Sequence, residues 1–187
     1  MKYLFFKVMS LCLSFSGLQA QTKLPELDKS PMDMSYYPNQ YPVLKIQDKI
    51  TAPLVARVIY SRPQKNGRVI FGELLEYGKV WRLGANEGTE IEFYRDVKIN
   101  NIKIKKGRYT MYCIPYVDKW TLILNKETDT WGSFKYDEKK DLARIDIPVQ
   151  KQNDITEAFV MVFEISTAGA DLIIAWDNVK LNFPIAF

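Results

Sequence analysis

The sequence predicts an all-β fold, an antiparallel, jelly-roll-like β-sandwich of about nine or ten strands with only short helical turns. Three observations lead to this prediction. From about Val43 onward, apolar and polar residues alternate with a period of two, which is the period of β-strands. Turn-forming residues separate the alternating segments at short intervals. Only GELLEYGKV and YDEKKDLA remain as places for short helical turns.

The elements follow one another closely along the chain. The predicted strands are LVARVIY, TEIEFY, VKI, IKI, GRYTMYCIP, WTLILN, ARIDIPV, AFVMVFEI, DLIIAW and VKLNFPI. The pair VKI and IKI forms a hairpin around Asn100-Asn101, because asparagine tolerates the positive φ that a tight turn requires. The apolar residues of this hairpin that are predicted to face inward are Val97, Ile99, Ile102 and Ile104.

The chain divides into three predicted segments. Residues 1–20 have the form of a secretory signal peptide, with Lys2 and Lys7 around the start, a short apolar stretch, and a cleavage position after Ala20. The apolar stretch is too short for a membrane span. Residues 21–42 contain four prolines and no period, which indicates an extended N-terminal segment. Residues 43–187 form a single β-sandwich domain. We therefore expect an exported protein, periplasmic or extracellular.

Composition excludes several classes of function. The chain contains no histidine, so catalytic triads and most zinc or copper sites are excluded, and we expect no metal and no cofactor. After cleavage only Cys113 is left, in an apolar strand where an inert buried thiol is expected. The net charge of +4 includes the two lysines of the signal segment, and no long basic run argues for nucleic acid.

Several motifs resemble a known family. The motifs YSRPxxxGRxIFG, VWRxGANE, GxYxxxxIP, WxxxxNK and WGxxxYD occur in order between Tyr60 and Ile147. Together they are similar to domain of unknown function 2911, a family of secreted and mostly bacterial proteins. The resemblance implies an exported all-β domain and no particular activity.

The segment WRLGANE is the first candidate site. If the loops meet at one end of the sandwich, arginine, amide and carboxylate groups would converge beside aromatic rings, a combination suited to a carboxylate, a phosphate or a sugar. The candidate ligand-binding residues are Tyr60, Arg62, Trp81, Arg82, Asn86 and Glu87. The structural alternative is that an Arg–Glu pair fixes the turn and that Gly84 and Gly88 supply its backbone geometry.

Other side chains suggest weaker sites. Glu87 with Glu90 or Glu92 could serve acid–base chemistry, although the alternation of Glu90 and Glu92 with apolar residues favours the solvated face of a strand. Trp120 and Trp176 are expected in the core. Trp131, in the loop TDTWGSF, is the tryptophan expected to be exposed, and its alternative role is to plug the end of the sandwich. Together with Trp81 and the tyrosines, these tryptophans could form a carbohydrate platform on a sheet face.

Three functions therefore stay open. The first is a non-catalytic module that binds a small ligand, a glycan or an envelope partner through the candidate residues. The second is a carboxylate-dependent hydrolase of a periplasmic sugar-type substrate. The third is a structural or assembly protein. A cleft with two converging carboxylates would favour the second, whereas loops that only pack against each other would favour the third.

Overall fold

Ten strands make up about half of the described chain. The computed structural model describes residues 24–187, so the predicted signal peptide lies outside the described residues. The strands are β1 (Met32–Tyr37), β2 (Ala56–Ser61), β3 (Thr89–Phe93), β4 (Val97–Ile99), β5 (Ile102–Ile104), β6 (Gly107–Pro115), β7 (Lys119–Asn125), β8 (Asp141–Pro148), β9 (Gln150–Ser166) and β10 (Gly169–Ala186). Two short helices accompany them: α1 (Tyr41–Ile46) and a single 3-10 turn (Glu138–Lys140).

The strands form two antiparallel sheets. One sheet has six strands in the order β1-β2-β3-β6-β7-β8, and the other has four in the order β5-β4-β10-β9. The prediction of an all-β sandwich with about ten strands is confirmed. Within residues 24–187 no helix has the length and apolar character needed to cross a membrane.

The core lies between the two sheets. Alternate residues of each strand point into it, as a half-buried strand requires. In β3, Thr89, Ile91 and Phe93 are buried while Glu90 and Glu92 lie on the outer face. The predicted core residues Trp120 and Trp176 are both buried and belong to the hydrophobic core. Phe159, Met161 and Phe163 of β9 contribute to the core from the four-stranded sheet.

Strand β10 was predicted as two strands, DLIIAW and VKLNFPI, and this prediction is wrong. The two segments form one strand whose pairing with β9 shifts register between Ala175 and Val179. Asp177 lies in this irregularity with a φ of 54°. The inward residues of β10 have even numbers up to Trp176 and odd numbers from Val179 onward, so the irregularity at Asp177 shifts the alternation and both halves of the strand face the core.

A second, smaller apolar cluster lies on the outer face of the six-stranded sheet. Tyr112, Ile114 and Ile123 are buried there against Val80 and Tyr136. These two covering residues come from the connections before β3 and after β7. The long loops therefore fold back over the sheet, and they carry the candidate site with them.

Three details differ from the sequence prediction. Met32–Tyr37, in the predicted extended segment, forms the edge strand β1 and pairs with β2 over its whole length. The α-helix is at Tyr41–Ile46, not in GELLEYGKV, whereas YDEKKDLA does contain the 3-10 turn. The hairpin turn at Asn100-Asn101 has the expected positive φ values of 46° and 65°, but Ile102 is exposed beside that turn on the outermost strand.

Candidate functional site

Trp81 extends the six-stranded sheet at the end of β3. The pairing of β3 with β6 ends at Thr89 and Met111. Two residues further along β6, Cys113 pairs with Trp81 through two backbone hydrogen bonds of 2.8 and 2.9 Å. The start of WRLGANE is thus fixed as part of the sheet. Burial raises the pKa of the Cys113 thiol well above its usual range, so that thiol stays protonated.

The aromatic rings of the predicted site are buried. The Trp81 indole stacks on Trp176, with 5.7 Å between ring centroids and 22° between planes, and its Nε1 donates to the Gly84 carbonyl at 2.9 Å. The Tyr60 hydroxyl donates to the Met161 carbonyl at 3.1 Å, and burial is the main reason that its pKa is raised. Both rings are therefore buried in the core, where they hold the two sheets together.

The Arg62 side chain connects β1 with β9. Its Nε donates to the Phe159 carbonyl of β9 at 3.2 Å, and its Nη1 lies 3.0 Å from Asp33 Oδ2 of β1. The predicted meeting of Arg62 with Glu87 does not occur among these contacts. The sequence could not indicate Asp33 as the partner, because β1 was not predicted as a strand beside β2.

The rest of WRLGANE coils tightly. Leu83 and Asn86 have φ values of 57° and 58°, and Leu83 is fully buried. A positive φ is unfavourable for leucine, so its burial in the core must offset that cost. The turn is closed by Thr89, whose Oγ1 donates to the Leu83 carbonyl at 2.5 Å. Because the segment coils, Arg82 and Glu87 line different cavities and do not meet.

The loop that contains Trp131 packs directly against WRLGANE. Gly88 N donates to the Thr130 carbonyl at 2.9 Å, and Gly132 N donates to the Asn86 carbonyl at 2.8 Å. Trp131 lies between these two bonds, and its side chain is 63% exposed, as the sequence predicted. Asn86 thus acts through its backbone, and the indole of Trp131 is presented to solvent on a fixed backbone.

Two clefts flank Trp131. The first has a volume of about 340 Å³ and is lined by Glu87, Glu90 and Asp129. The second has a volume of about 510 Å³ and is lined by residues including Phe134 and Lys140. Phe134 is 86% exposed. We call the two clefts and Trp131 together the Trp131 site.

Two of the three carboxylates of the first cleft, those of Glu90 and Asp129, are held as hydrogen-bond acceptors. Glu90 Oε2 lies 3.2 Å from Arg108 Nη1, and Glu90 Oε1 accepts from Asp129 N at 2.7 Å. The Thr128 hydroxyl and the Arg108 guanidinium lower the pKa of Asp129. A general acid needs a raised pKa, so Asp129 has the opposite tuning. Glu87 is exposed and forms no ion pair among residues 24–187.

Arg82 lines a cavity separate from the two clefts beside Trp131. Its Nε is buried without a hydrogen-bond partner in the protein, and burial lowers the pKa of its guanidinium. It lines a cavity of about 200 Å³ together with Lys79 and Ser133. Within the described chain no group of three or more histidine, cysteine, aspartate or glutamate side chains is arranged to hold a metal ion.

The comparison with known proteins identifies the family alone. No curated protein and no solved structure matches the chain. The model of the family described as "Protein of unknown function (DUF2911)" matches residues 42–185, which include all of WRLGANE and the Trp131 loop. The chain therefore belongs to the DUF2911 family.

Proposed function

We propose that this protein is an exported, non-catalytic binding module that holds a glycan against Trp131. The observation that carries the proposal is an indole 63% exposed to solvent on a loop whose backbone is fixed on both sides by hydrogen bonds to WRLGANE. A ring that large is usually buried. An exposed ring on a fixed backbone loses little conformational entropy when a ligand stacks on it.

The polar groups beside the ring suit sugar hydroxyls. A sugar offers an apolar C–H face for stacking and hydroxyl donors at its edges, so a matching site combines a ring with acceptors. Glu87, Glu90 and Asp129 supply acceptors on one side of Trp131. Their negative charge favours neutral sugars over acidic ones on that side. Each cleft lies in the volume range of small-molecule sites, roughly 300–1,000 Å³.

Tryptophan fluorescence tests the proposal directly. The chain has four tryptophans, and Trp81, Trp120 and Trp176 are buried. Iodide should therefore quench only Trp131, and a bound glycan should protect it. The probes are neutral β-glucan, xylan, mannan and N-acetylglucosamine oligomers. We expect Trp131→Ala to weaken binding of the bound glycan about tenfold or more, which corresponds to about 1.4 kcal/mol.

The matched control is Tyr116→Ala, which removes another exposed aromatic ring at the turn between β6 and β7. It should bind as the unaltered protein does. Binding that is insensitive to Trp131→Ala, or no protection of Trp131 by any of the glycans, would refute the proposal. Release of reducing ends from a bound glycan would instead identify the hydrolase, and it would also refute a non-catalytic role.

A further inference from the structure

Three arginines of residues 24–187 are partly buried, Arg57, Arg62 and Arg82, and only Arg82 of these has no carboxylate partner. Arg57, Arg62, Arg108 and Arg144 each form an ion pair with a carboxylate. Arg57 also has a buried Nε without a partner, but its Nη2 lies 2.6 Å from Glu92. Arg82 is partly buried and has no carboxylate within 4.0 Å among residues 24–187.

A partly buried guanidinium without a counter-charge is unfavourable. Removing an ion from water costs free energy that a partner normally offsets. Burial lowers the pKa of the Arg82 guanidinium, and no carboxylate of residues 24–187 lies within 4.0 Å of it to offset that burial. The protein nevertheless keeps the guanidinium beside a cavity and does not extend it fully into solvent.

The cavity beside Arg82 has a basic wall. Lys79 and Arg82 carry positive charge, and Glu76 carries the only negative charge among the lining residues. Glu76 is exposed and forms no ion pair with either of them. Leu75 and Trp81 supply apolar wall, and the Ser133 hydroxyl is held by its hydrogen bond to the Val80 carbonyl at 3.2 Å. An anion entering here would therefore meet a net positive surface.

We propose that this cavity is a second binding site, which takes the oxyanion group of a ligand, either a carboxylate or a phosphate. The guanidinium of Arg82 supplies paired donors that match two oxygens of such a group, and Lys79 adds a point charge. The volume of about 200 Å³ is below the roughly 300 Å³ at which small-molecule sites begin, so the cavity holds one anionic group and not a whole sugar chain.

The site is independent of the Trp131 site. Arg82 and Lys79 do not line either cleft beside Trp131. The Arg82 cavity shares no lining residue with either cleft: Ser133 lines the Arg82 cavity, while Trp131 lines both clefts. Trp131→Ala should therefore abolish glycan stacking and leave anion binding unchanged, so that one proposal can fail while the other stands.

The ¹⁵N–¹H signal of the Arg82 side-chain Nε reports on the site. The full chain without its first 20 residues would be titrated with phosphate and, separately, with acetate, at constant ionic strength maintained with chloride. The signal is assigned as the one that Arg82→Lys removes. We expect a saturable shift of this signal with at least one of the two anions. The anion whose titration saturates at the lower concentration shows whether the cavity prefers a phosphate or a carboxylate.

Three variants distinguish anion binding in the Arg82 cavity from a general effect of the protein's charge. Lys79→Gln should raise the dissociation constant several-fold, and Glu76→Gln should lower it several-fold because it removes the opposing charge. Lys98→Gln, which removes an exposed lysine on the other sheet, should change nothing. A linear shift without saturation, or equal effects of Lys79→Gln and Lys98→Gln, would overturn the proposal. So would a loss of stability in Glu76→Gln without any anion binding, because it would show that Glu76 itself pairs with Arg82 in solution.

Discussion

Replacing Trp81 by phenylalanine tests whether the first half of WRLGANE serves the fold. The indole belongs to an aromatic cluster in which its centroid lies 5.7 Å from that of Trp176 and 5.8 Å from that of Trp120. It also satisfies the carbonyl of the buried Gly84 through its Nε1. Phenylalanine fills part of the volume and cannot donate that hydrogen bond.

Two contributions set the expected loss of stability. The smaller ring loses packing worth about 1–2 kcal/mol, less than the 3–5 kcal/mol of a full truncation to alanine. The Gly84 carbonyl is left buried without a donor, which costs about 1–3 kcal/mol. The free energy of unfolding of Trp81→Phe should therefore fall by about 2–5 kcal/mol. For a domain of this size each kcal/mol lowers Tm by about 2–4 °C.

Urea denaturation followed by far-ultraviolet circular dichroism measures this loss, with the m-value checked for constancy. The matched control is Trp131→Phe, the same change at the exposed tryptophan, which should alter stability by less than about 0.5 kcal/mol. A loss below about 1 kcal/mol in Trp81→Phe would show that the indole is not part of the stabilising core. The ligand-contact role predicted for Trp81 would then be open again.

Two further predictions concern the paired loops and the hairpin. Gly88→Ala should destabilise the protein by about 1–3 kcal/mol in the same urea assay, because a Cβ there would overlap Thr130 Oγ1 and lie 3.0 Å from Thr110 Cγ2. An unchanged urea midpoint would contradict this close approach of the loops. The Lys106 N–H and the Lys105 ammonium lower the pKa of Asp96 from 3.8 to about 2, so its contribution to stability is complete above pH 3.8 and is lost as the pH falls through about 2. Asp96→Asn should remove this part of the acid sensitivity, and parallel curves of urea midpoint against pH for the two proteins would contradict it.

The sequence predicted those features that depend on neighbouring residues. Alternation located most strands, and two consecutive asparagines located the hairpin turn, because side-chain direction and turn conformation are local properties. The same local reading identified Trp131 as exposed, since it stands among polar turn residues. It missed β1 and the irregularity in β10, because pairing between strands decides both and alternation within one strand does not show pairing.

The candidate site was only partly predictable. WRLGANE was found by its composition, yet composition does not show which loop packs against it. The backbone bonds from Gly88 and Gly132 bring residues 130–132 beside Asn86, and that pairing places Asp129 next to Glu87 in one cleft. No signal in the sequence connected these two segments, because they are separated by five strands.

The sequence by itself determined an all-β family member without histidine, with most of its strands, its hairpin turn and one exposed tryptophan. Only the tertiary structure decided that Tyr60 and Trp81 belong to the core, that Arg62 pairs with Asp33, and that Arg82 is left without a partner beside a cavity. The physical reason is that periodicity fixes which face a side chain takes within its own strand. What lies opposite that face depends on contacts between residues far apart in the chain.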